Sequence, residues 1–138
     1  MKVNIEFFHK KLADENYKIR QIFATETTMS VIPRVGEILE LSEETVKKAG
    51  LEISEIPECL QIYAKITGKN PKELHRYLKN CCEVVQVTYI EKRSKPTEIY
   101  IRVQVPEMDD DFKGVECLND DKPLTVEESL AFLSYFEW

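Results

Sequence analysis

Pro33-Arg34-Val35-Gly36-Glu37-Ile38-Leu39-Glu40-Leu41 decides how the rest of the chain divides. It reads as a strand entered through a proline and carrying a glycine. The next strong strand, Cys82 to Arg93, comes only after an excursion of about forty residues marked by helix signals. Pro33 constrains Ile32 to extended geometry. Gly36 within a strand predicts a bulge or a sharp bend, as at the corner of a small barrel. A small β-structure interrupted by a helical insertion is the expected architecture.

Upstream of this stretch, Val3, Ile5 and Phe7 alternate with Lys2, Asn4 and Glu6, the period of a half-buried strand. Ala13-Asp14-Glu15-Asn16 reads as a polar turn. From Tyr17 to about Thr28, a face shared by Ile19 and Phe23 and the run Thr25, Thr27 and Thr28 predict a second strand. Downstream, Ser42 is placed to cap a helix over Glu43 to Ala49, with Gly50 as its stop. Ser54 or Pro57 opens a second helix in which Cys59, Leu60, Tyr63 and Ile66 recur at helical spacing, ended by Gly68. Asn70-Pro71-Lys72-Glu73 is a third helix start, and Leu74, Tyr77, Leu78 and Cys81 form its apolar stripe.

The β pattern then resumes. Val85, Val87 and Tyr89 line one face of a strand; Ile99, Ile101, Val103 and Val105 line one face of the next. Ser94-Lys95-Pro96 joins them as a hairpin. Pro106 stops the pair, and an acidic stretch runs to Pro123. Thr125-Val126-Glu127-Glu128 is a capping box opening a final helix to Trp138. The expected fold is therefore α+β. It is a small antiparallel five-stranded β-barrel or strongly bent sheet, with a helical insertion between strands 3 and 4 and a C-terminal helix. Residues 1–138 are read as a single domain: a β-core of 1–41 and 81–105, an insertion of 42–80, and an acidic segment with terminal helix over 106–138.

Composition is that of an ordinary globular chain, 43% hydrophobic and 32% charged, with a formal net charge of −6. The β-core holds ten Lys/Arg against nine Asp/Glu and the insertion seven against six, whereas residues 106–138 hold two against ten. The acidic excess therefore lies wholly in the last quarter. No apolar run approaches the roughly 18 residues that a spanning helix needs, so no membrane role is expected. Glu6 falls where a signal peptide requires its apolar stretch, so the cytoplasm is the expected compartment. Cys59, Cys81, Cys82 and Cys117 then read as reduced, scattered thiols.

The pattern of Pro33-Arg34-Val35-Gly36-Glu37, joined to Val84, Val87 and Tyr89 of the later strand, resembles small Src-homology-3-like β-barrel proteins of bacterial phage and mobile-element type. The resemblance covers roughly 25 residues and implies a small barrel, with no catalytic residues to carry over.

Lys72, Arg76 and Lys79 lie on one face of the third inserted helix, with Lys69 leading into it. Such a row can hold phosphates or an acidic partner, or it can be a solvated helix face. The terminal helix is apolar around most of its circumference. Phe132, Phe136 and Trp138 read either as core against the β-structure or as anchors for a partner or a second copy. Asp109-Asp110-Asp111-Phe112-Lys113-Gly114 has the outline of a calcium loop, but Lys113 stands where an oxygen ligand is needed, so no metal is expected. His9 and His75 sit in no nucleophile or metal-spacing motif, and phosphate-loop and dinucleotide fingerprints are missing, so neither catalytic residues nor a cofactor are expected.

The leading functional expectation is a non-enzymatic protein-interaction or assembly module. The alternative is nucleic-acid or polyanion binding through Lys69, Lys72, Arg76 and Lys79, with the acidic tail competing. An enzyme of unknown class is the third reading.

Overall fold

Val3, Ile5 and Phe7 are fully or almost fully buried while their polar neighbours are not, and this alternation builds strand β1 (Lys2–Phe8). In a computed structural model of the chain, residues 1–8, 23–104 and 123–137 are described. Among them the order continues with β2 (Ala24–Thr28), α1 (Glu43–Glu55), α2 (Pro57–Ile66), α3 (Pro71–Asn80), β3 (Glu83–Lys92), β4 (Lys95–Gln104) and α4 (Val126–Phe136). The fold is α+β. By internal contacts the chain separates into two units, Met1–Leu41 with Cys81–Pro106 and Ser42–Asn80 with Glu107–Trp138.

The β unit is a four-stranded open sheet in the order β2-β1-β4-β3. β1 pairs antiparallel with β2 (Ile5 opposite Thr25) but parallel with β4 (Ile5 opposite Ile101), and β3 pairs antiparallel with β4. The sheet is therefore mixed and unclosed. The expected five-stranded antiparallel barrel is wrong. Ile5, Ile101 and Val103 have no solvent exposure and Phe7 stacks on Phe23 at 6.2 Å, so one face of the sheet is buried.

The fifth strand fails at Pro33–Leu41, where the expectation began. Glu37 N–H donates to Arg34 C=O at 3.1 Å, closing a turn whose third residue, Gly36, has φ +91°. This is the backbone of a turn that demands glycine at that position, not of an extended strand. Only Ile38 forms a bridge, to Glu83, while Gly36 N–H and Leu39 N–H donate to Val84 and Cys82 carbonyls. The segment is a strap on the outer edge of β3, and the helices enter between β2 and β3.

The hairpin is displaced by one or two residues. Arg93 and Ser94 form the turn, Ser94 at φ 64°, with Lys92 opposite Lys95. Pro96 lies beside a register irregularity, where its missing donor is tolerated. A second shift between Val84 and Gln86 places Val84, not Val85, on the side shared by Val87 and Tyr89, facing Val103, Ile101 and Ile99. The early part of the second expected strand, the turn at 13–16 and the calcium-like loop at 109–114 lie outside the described residues.

In the helical unit, Ser42 caps α1 by accepting from Thr45 N–H at 3.2 Å. Asn70 Oδ1 accepts from Lys72 N–H at 3.0 Å at the start of α3. Thr125 and Glu128 form a reciprocal capping box on α4. Gly50 does not end α1, which runs five residues further. A Cβ at Gly50 would collide with the ring of Phe136, so this glycine makes room for an aromatic instead of terminating a helix. No described helix is long and apolar enough to cross a membrane.

Candidate interaction site

All the surfaces weighed here belong to the helical unit. α3 carries Lys72, Arg76 and Lys79, and Lys69 precedes it at φ 60°. Lys79 Nζ lies 2.6 Å from Glu43, Arg76 Nη1 lies 3.2 Å from Glu73, and Lys69 Nζ lies 3.9 Å from Glu128. Lys72 is exposed and makes no ion pair among the described residues. Three of the four cations thus already face a carboxylate, and a polyanion would have to compete with each of them.

Sequence spacing did not disclose what surrounds His75. Its Nε2 lies 2.9 Å from one oxygen of Glu43, whose other oxygen accepts from Lys79. Tyr135 OH lies 3.4 Å from Nδ1, and the His75 ring stacks on Phe136 with centroids 6.2 Å apart. The hydrogen bond from Lys79, aided by His75, holds the Glu43 carboxyl below its ordinary value, against a smaller opposing effect of burial. This group joins the first turn of α1 to α3 and to the end of α4. Both ring nitrogens thus lie near polar side chains of the helical unit.

Burial pushes Cys59 up to about 12 and Cys82 up to about 11, so both remain protonated near neutrality. Among the described residues no group of three His, Cys, Asp or Glu side chains could hold a metal ion.

Phe132 and Phe136 are buried within the helical unit, Phe136 against Gly50. Trp138 lies outside the described residues. The buried stripe of α4 leaves a second apolar stripe outward. At about 100° per residue, Ser129, Leu133, Val126 and Leu130 fall on one arc of the helix, adjacent to the Phe132–Phe136 side. Val126 is 76% exposed and Leu130 54%. The signal for this was legible: a helix apolar around most of its circumference carries more hydrophobic surface than one buried face can absorb.

Ser129 and Leu133 also form one wall of a groove of about 450 Å3. Pro57, Leu60 and Leu124 complete its apolar lining, and Ser54, Glu55 and Gln61 supply polar groups. Gln61 Oε1 accepts from Leu124 N–H at 3.4 Å, tying the segment before α4 to α2. Ile56, 46% exposed, precedes the lining residue Pro57 in the chain, and Val126 and Leu130 neighbour Ser129 and Leu133 on α4. The chain thus presents a groove with a largely apolar lining, and large aliphatic residues next to its lining residues are left in solvent. No family model, curated protein or solved structure matches this chain.

Proposed function

We propose that this chain is a non-enzymatic protein-interaction module, and that the groove between α1, α2 and α4 receives the partner. The observation that carries this reading is the exposure of Ile56, Val126 and Leu130 beside a concave apolar lining. Single exposed aliphatics are ordinary on a protein surface; several flanking one groove mark a docking surface. Fully burying an exposed aliphatic side chain is worth about 1.5–3 kcal/mol, and a partner covering these part-exposed ones recovers about half of that for each. The competing sites are weaker for physical reasons. The basic face of α3 is largely answered by the protein's own carboxylates, and the His75 ring nitrogens lie near Glu43 and Tyr135.

A photo-reactive amino acid at position 130, introduced in cells of the native host, tests the proposal. The expected result is one predominant protein adduct that is lost on Val126→Gln and is not obtained from the same probe at exposed Glu44 on α1. Equal adducts from both positions, or none from position 130, would overturn it.

A further inference from the structure

The polar groups around the groove specify the partner's chemistry, on the reading that this surface receives a protein. We infer that the occupant is a basic amphipathic helix of a partner protein. It sets Leu-like side chains against Pro57, Leu60 and Leu133 and directs Lys or Arg to the carboxylates alongside.

The groove carries carboxylate at its lining and edge. Glu55 lines it, and Glu58 is exposed one residue beyond Pro57. Among the described residues no Lys, Arg or His lines the groove. Several donors in and beside the groove are already used inside the unit. Ser54 Oγ donates to Gly50 C=O at 2.7 Å, and Leu124 N–H donates to Gln61. The capping box takes Thr125 N–H at 3.0 Å and Glu128 N–H at 3.2 Å. A carboxylate or phosphate would therefore meet apolar surface and like charge, whereas a cation meets the Glu55 carboxylate at the lining and Glu58 nearby.

Length fits as well. Val126 to Leu133 spans about 10 Å of helix axis, the separation of the first and last anchors in an i, i+4, i+7 set on an apposed helix. The cavity is within the size range of sites that enclose a few side chains.

The test titrates the full chain with a labelled Leu/Lys amphipathic peptide of about 18 residues and with its Leu/Glu twin. Titrations are run at roughly physiological salt and read by anisotropy and by amide chemical shifts. The Leu/Lys peptide should bind, shifting the amides of Glu55, Leu60, Ser129 and Leu133. Val126→Gln with Leu130→Gln should weaken it about tenfold, and Glu55→Lys with Glu58→Lys should transfer preference to the Leu/Glu twin. All four residues except Glu58 lie on the mapped lining or stripe, and all are partly or well exposed, so circular dichroism should show the variants folded. Equal binding of the twin, indifference to both double variants, or shifts confined to α3 would overturn the inference. An adduct at position 130 that depends on Val126, without binding of the Leu/Lys peptide, would overturn the basic-partner inference alone and leave the module reading standing.

Discussion

Gly50 lies within α1 and has the Phe136 ring where a side chain would be. Alanine is the better helix former by about 0.5–1 kcal/mol, yet forcing a methyl against a buried ring costs about 1–3 kcal/mol. Gly50→Ala should therefore lower the urea midpoint, and Phe136→Leu in the same chain should relieve part of the loss. A Gly50→Ala protein as stable as the parent would show that the ring yields freely. Gly36 is constrained differently, by φ +91° with nothing within reach of an added Cβ. The sequence showed both glycines plainly, but their reasons were not local: one answers a ring from the far end of the chain, the other a turn mistaken for a strand. At Cys59, a thiol pushed up to about 12 by burial should react slowly with alkylating reagents at pH 8 and rapidly only in denaturant. Fast labelling of Cys59 in the native protein would contradict the burial.

Among elements, α4 depends on its entrance and α3 on its ion pairs. Thr125→Ala removes the acceptor for Glu128 N–H and half of a reciprocal box, with an expected loss of about 1 kcal/mol in chemical denaturation. Glu43 supplies a pH signature. Its folded pKa is depressed below the ordinary 4.5, first through Lys79, so its contribution is present above that value and lost as pH falls through the folded pKa. Glu43→Gln should accordingly be less stable than the parent at neutral pH, with the gap closing in acid below 4.5. A gap that is constant with pH would mean that the carboxylate charge contributes nothing. Helix starts at Ser42, Asn70 and Thr125 were legible because a cap is a contact over two or three residues. Strand faces were legible except at Val84 and Val85, where a register shift breaks the two-residue period.

For the whole molecule, the net charge of −6 and the internal pairing of Lys69, Arg76 and Lys79 argue against polyanion binding. The full chain should not retain a labelled oligonucleotide at roughly 0.15 M salt. Retention that disappears on Lys72→Glu would reverse this conclusion. The helices and most of the strands, the interruption of β-structure by helices, the acidic last quarter and the apolar excess of α4 were determined by the sequence itself, because period, caps and charge are local or additive properties. Pairing was not. Whether Ile5 lies beside Ile101 in parallel, whether Pro33–Leu41 joins the sheet or turns along its edge, and which side of α4 faces inward depend on partners distant in the chain. The same holds for Tyr135 and His75, sixty residues apart. Only the tertiary structure decides these points, because hydrogen bonds and buried area between remote segments choose among arrangements that local propensity leaves nearly equal in free energy.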